Sequence, residues 1–155
     1  MMNDYSQTMN ATRILPELQA SLMCESVHQE TNGNLILVGV VYLIRVPQLP
    51  VVTGRFCVFN RWAAGVGRFH TRTRIVAPDG ITTLSEGGSQ FELPDLAHHA
   101  SNVLVFANVE FKTAGTYYIE VLVDDVMKLR SPLSVALAQP QSRPAATPAA
   151  EPKQA

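Results

Sequence analysis

The sequence predicts an all-β fold, an antiparallel immunoglobulin-like or fibronectin-like sandwich of seven to nine strands, and three observations carry the prediction. From Glu17 to Leu137, runs rich in Val, Ile, Leu, Phe and Thr alternate with short Gly, Pro, Asn or Asp punctuation. No segment sustains a helical period of apolar residues. The stretch KTAGTYYIEVLVD at 112–124 places a tyrosine two residues after a glycine turn, at the head of an alternating strand.

Taken in order, the predicted strands cover 18–28, 34–46, 54–62, 68–77, 81–93, 102–111, 116–123 and 127–137. Asn32-Gly33 is a strong hairpin signal between the first two, because both residues tolerate positive φ. Pro78-Asp79-Gly80 and Asp124-Asp125 are tight connections by the same logic. Gly87-Gly88 reads as a bulge, Gly65-Val66-Gly67 as a turn, and 96–100 as a single helical turn between strands. The sandwich domain is therefore 17–137, preceded by a polar arm at 1–16 and followed at 138–155 by a Pro- and Ala-rich stretch whose side chains cannot repay the entropy of ordering. Ile14-Leu15-Pro16 is the one apolar part of the arm and is expected to tack it to the sandwich.

Alternation assigns Tyr117, Ile119, Val121 and Val123 to the core face of their strand and Tyr118, Glu120, Leu122 and Asp124 to the other. Thr113-x-Gly115-x-Tyr117-x-Ile119 matches a tyrosine corner, in which the phenol hydroxyl bonds to backbone just upstream and pins the arch between sheets. Tyr117 is thus a structural residue. Trp62 is read as a core tryptophan on the same precedent.

Composition narrows the function classes. The chain has 155 residues, 46% hydrophobic and 16% charged, with a net charge of −1, so no global excess of cations draws it to nucleic acid or anionic membrane. The first sixteen residues hold no apolar run of the kind a signal peptide needs, and the longest apolar run, LILVGVVYLI at 35–44, is about half a membrane-spanning helix. Cytoplasmic residence is the expectation. In that compartment Cys24 and Cys57 are small buried hydrophobes rather than a disulfide.

The runs CESVHQE at 24–30, GNLILVGV at 33–40 and VPQLP at 46–50, with GTYY at 115–118, the two-Asp hairpin and SPL at 131–133, resemble a family of uncharacterised small bacterial β-sandwich proteins. The resemblance runs over about 17–137. It implies this fold in a bacterial cytoplasmic protein and offers no catalytic residues to carry over, since its motifs are turn and core signatures.

Nothing in the chain spells out a reaction. His28, His70, His98 and His99 lack any spacing that brings two imidazoles onto one face, and Ser89 lacks the G-x-S-x-G elbow of a nucleophile. The carboxylates cluster at turns instead of forming a spaced pair across a cleft. The expectation is a non-enzyme with no metal and no cofactor.

Two features rise above this background. The first is charge segregation: 31–78 holds Arg45, Arg55, Arg61, Arg68, Arg72 and Arg74 with no acid, while 79–125 holds eight acids against Lys112. Arg68, His70, Arg72 and Arg74 share one strand face, either as a ladder paired to acids on neighbouring strands or as a site for an anionic ligand or polymer. The second is apolarity on both faces of the second strand, with Ile36, Val38, Val40, Tyr42 and Ile44 on one side and Leu35, Leu37, Val41 and Leu43 on the other. Each such side chain is worth about 1.5–3 kcal/mol when buried. Four or five left in water forgo on the order of 10 kcal/mol, comparable to a domain's net stability. The candidates for covering them are the 14–16 arm, the 46–52 loop, a second copy of the chain, or another protein. The function expected is a non-catalytic protein–protein interaction or structural module that self-associates through Ile36, Val38, Val40, Tyr42 and Ile44. The alternative is an anion-binding domain using the Arg68–Arg74 face.

Overall fold

The computed structural model describes residues 12–139. It is all β, with eleven strands: β1 (Glu17–Gln29), β2 (Leu35–Val40), β3 (Leu43–Val46), β4 (Val51–Val52), β5 (Phe56–Ala63), β6 (Gly67–Val76), β7 (Thr83–Leu93), β8 (Ala100–Phe106), β9 (Glu110–Phe111), β10 (Gly115–Val123) and β11 (Val126–Leu137). Nine of them form two sheets that pack face to face, in the orders β2-β1-β5-β8 and β3-β11-β10-β6-β7, and β4 pairs with β9 as a small third ribbon. Every pairing is antiparallel except β3 with β11. The 1–11 part of the predicted arm and residues 140–155 lie outside the described residues. No helix among the described residues is long and apolar enough to cross a membrane.

Alternation builds the core as predicted. On β6, Phe69, Thr71, Thr73 and Ile75 are buried while Arg68 and His70 are exposed. On β10, Tyr117, Ile119, Val121 and Val123 are all buried. Trp62 is completely buried on β5, stacked 5.5 Å from Phe91, and its indole N–H donates to Asn102 Oδ1 at 3.1 Å. The corner forms too: Tyr117 O–H donates to the Thr113 carbonyl at 2.7 Å, and its ring meets Phe111 edge-on at 4.8 Å.

A polar bridge crosses this core where the sequence suggests only apolar filling. Asn60 of β5 is fully buried; it accepts from Ser21 Oγ at 2.7 Å within its own sheet and donates to Thr73 Oγ1 of the facing sheet at 3.1 Å. Thr71 donates to the Leu122 carbonyl at 3.0 Å. These buried hydroxyls and the amide therefore have partners, as burial demands.

Several expectations are corrected. The 34–46 strand is two strands in different sheets: β2 joins β1, the chain breaks at Val41-Tyr42, and β3 continues beside β11. Gly39 has a φ of 67°, a left-handed value that an extended strand does not use, and it stands just before the break. Gly87-Gly88 is not a bulge, since the β6–β7 register runs through both unshifted and slips between Ile75 and Val76 instead. A Cβ on Gly87 would stand 3.6 Å from a Leu104 methyl, so the missing side chain makes room where β7 meets β8 of the other sheet. Residues 96–100 form no helical turn; Asp95 Oδ1 holds them in a turn by accepting from the Ala97 amide and contacting His98 Nδ1, both at 2.8 Å.

Candidate functional site

The relation of β1 to its two neighbours positions the site. β1 pairs with β5 from Glu17 to Cys24, and with β2 from Cys24 to Gln29, so the two registers share only Cys24. Beyond that residue β1 and β2 form a two-stranded ribbon that has left β5 behind. An isolated two-stranded ribbon is marginal in water, and the outer strand of this one, β2, carries apolar side chains on both faces.

Directly opposed residues share a face, so Ile36 stands beside His28 and Val38 beside Ser26; past Gly39 the Val41 amide donates to the Met23 carbonyl at 2.8 Å, and Val40 and Tyr42 border a pocket of about 200 Å³ with Ile119 and Leu133. Ile36 is 44% exposed, Val38 42%, Val40 54% and Tyr42 81%. That face carries an apolar column on the edge strand β2 and a polar column, Ser26 and His28, one strand further in; Ser26 Oγ and His28 Nε2 are 3.1 Å apart. On the opposite face Leu35 and Leu37 border a groove of about 880 Å³ whose other wall is Phe59, Arg61 and Val103. Cys24, Cys57 and Phe59 are buried between these features, and both cysteines are unbridged.

The structure separates Ile44 from the other four predicted contact residues. It lies on β3, half-buried against the core, while Ile36, Val38, Val40 and Tyr42 remain open. Neither proposed intramolecular cover sits over them. The arm docks at the β5–β6 connection, where Ile14 and Val66 exchange two backbone bonds at 2.9 Å and Arg13 lies 4.7 Å over the Phe69 ring. The 46–52 loop closes an end of the sandwich, with Leu49 and Val51 against the core and Val51 paired to Phe111. Leu22, Val103 and Val105 are further exposed apolar residues of the same sheet.

The arginine face does form on β6, and it is matched by carboxylates. Arg72 meets Glu86 at 3.0 Å and Asp125 at 2.6 Å, Arg74 meets Glu120 at 2.7 Å, and Arg68 approaches Glu92 at 3.5 Å. The β6 half of the basic block is therefore interleaved with acids, because β6 lies between β7, which carries Glu86 and Glu92, and β10, which carries Glu120 and leads to Asp125. His70 sits in a cleft of about 480 Å³ with Arg68, Gln90, Glu92 and Asp124, and an anion there would face two acids. Asp124, at a φ of 45°, accepts from the His70 amide at 2.9 Å and pairs with Arg13. Glu120 is buried, held between Arg74 and Arg130, and Arg130 also lies 4.2 Å over the Tyr118 ring.

Among the described residues, no group of three or more His, Cys, Asp and Glu side chains is placed to hold a metal ion. Burial, and then the neighbouring Cys57, push the Cys24 thiol above its ordinary value. Asp79 and Asp95 are held below the usual carboxylate range by hydrogen bonds, Asp79 from the Thr82 hydroxyl and the Thr82 and Ile81 amides, Asp95 from His98 and the Ala97 amide.

No curated protein matches the chain. Residues 19–136, most of its length, match a family of unknown function, DUF6941, and the chain belongs to that family.

Proposed function

We propose that this protein is a non-catalytic interaction module that self-associates through the β1–β2 ribbon. The observation that carries the reading is the exposed pair Ile36 and Val38 on the edge strand of a ribbon that β5 does not flank, with Val40 and Tyr42 exposed just beyond Gly39. A ribbon of this kind exposes apolar side chains at a cost comparable to a domain's net stability unless another surface meets it. The likeness to immunoglobulin-like domains, carried by the Tyr117 corner, belongs to the same reading, as does a cytoplasmic setting. Because the β6 arginines already have acids beside them, association rests on apolar contact and persists in salt.

Size-exclusion chromatography with light scattering tests this directly. The full chain is expected to be dimeric at tens of micromolar, and Val38→Asp to shift it to monomer without unfolding it. A clean monomer at high micromolar concentration in low salt overturns the reading.

A further inference from the structure

We infer that two copies of the chain join edge to edge, β2 against β2 in antiparallel register about a two-fold axis, making one continuous sheet from both. This rests on the self-association proposed above and names its geometry.

Among the described residues β2 has a strand on one side only. Its sequence, Leu35–Val40, contains no charge and no proline, two of the devices by which exposed edges are usually protected from pairing, and its one irregularity, Gly39, lies near the end of the strand. The direction of its amides follows from the hairpin turn. The Glu30 amide donates to the Asn34 carbonyl at 2.8 Å, while the Gly33 amide takes the Glu30 carbonyl at 2.9 Å and the Asn34 amide donates to Asn32 Oδ1 at 2.9 Å, so Glu30 and Asn34 face each other through one ladder bond. Antiparallel ladders alternate bonded and non-bonded pairs. Hence, up to Val38, His28–Ile36 and Ser26–Val38 bond inside the ribbon and the N–H and C=O groups of Leu35 and Leu37 point to the open edge; past Gly39 the Val41 amide donates to the Met23 carbonyl at 2.8 Å and the alternation changes phase.

Three features favour a second copy as the occupant. The apolar column lies on the edge strand, with polar Ser26 and His28 behind it. A two-fold axis at Leu37 brings Ile36 of one copy beside Val38 of the other, merging two apolar columns into one patch, while on the opposite face Leu37 meets Leu37 of the other copy and Leu35 stands across from Gly39. Second, antiparallel pairing sets the ribbon tip, with Glu30, toward the other copy's strand exit, which leads to Arg45; neither residue has an ion-pair partner among the described residues, and their charges are opposite. Third, Ile36 and Val38, 44% and 42% exposed, gain each other as cross-strand neighbours, and the paired backbone edge at Leu37 supplies further contact.

Amide hydrogen exchange on the full chain, at concentrations below and above the monomer–dimer transition, tests the geometry. Ile36 and Val38 amides are expected to be protected at both concentrations, and those of Leu35 and Leu37 to slow at least tenfold only in the dimer. A paired comparison supports it: Leu37→Ala, which keeps the amide, still dimerises, whereas Leu37→Pro, which removes it, does not, with Trp62 near-ultraviolet dichroism showing both folded. If Leu35 and Leu37 exchange equally fast in monomer and dimer, or Leu37→Pro dimerises as well as Leu37→Ala, edge pairing is wrong while self-association stands. If the full chain is monomeric but dimerises once 1–11 or 140–155 is removed, the chain covers its own edge and the inference fails. A chain that never dimerises overturns both readings.

Discussion

Cys24 and Cys57 face each other directly across β1 and β5, at the one residue where β1 passes from β5 to β2. Both are buried and unbridged. The ribbon thus begins on a pair of small thiols, packed where a polar or larger residue would disturb the junction of two ladders.

Their burial makes reactivity a measure of ribbon docking. In native protein both thiols should react with a disulfide reagent at least a hundredfold more slowly than in denatured protein. Because the Cys24 thiol is raised in the fold, its contribution to stability is intact below the unfolded thiol value of about 8.5 and is lost as pH climbs through the folded value. Denaturation midpoints measured from pH 7 to 10 should therefore fall above pH 8.5, and less so in Cys24→Ala.

The Asn60–Thr73 bond ties the two sheets through the core. Thr73→Val should cost about 1–2 kcal/mol, since it leaves the buried Asn60 amide short of a partner. Replacing both residues, as Asn60→Leu with Thr73→Val, should cost less than the sum of the single changes, and a double-mutant cycle in urea measures the difference.

Glu120 shows what the paired arginine face contributes. Its carboxylate is buried between Arg74 and Arg130, whose own side chains are 26% and 41% exposed. Solvent screening at the arginines brings the loss on Glu120→Gln down from the roughly 3–5 kcal/mol of a fully buried pair to about 1–2 kcal/mol. Thermal unfolding checks this, and the oligomeric state should not change.

Asp79 and Asp95 should titrate below an ordinary aspartate when followed by carboxyl NMR, with Asp79 returning toward the ordinary value in Thr82→Val. A depressed carboxyl stabilises the fold above its unfolded value of about 3.9, and that contribution disappears as pH falls through the folded value. Both turns should therefore loosen on the acid side only, visible as faster exchange of the Thr82 and Ala97 amides.

Period-two alternation was legible wherever one face is core, which is why Tyr117, Ile119, Val121, Val123 and the β6 pattern read correctly from the chain. Turn chemistry placed the Asn32-Gly33 and Asp124-Asp125 hairpins for a similarly local reason, the φ values those residues tolerate. The even apolarity of 34–46 was legible as an anomaly, but not its cause. A strand apolar on both faces and two short strands in different sheets look alike in one dimension, and Gly39 was the single local hint of the break.

By itself, then, the sequence determined the fold class, the core faces, the corner tyrosine and the presence of unmatched apolar surface, all of which depend on residues near one another along the chain. Only the tertiary structure decided that the arginines of β6 lie between acid-bearing strands, that Asn60 spans the core, and that β1 changes partner at Cys24, which among the described residues leaves β2 with an open edge. Those outcomes depend on which strands become neighbours and in what register, and that is set by the packing of the whole sandwich rather than by any local run of residues.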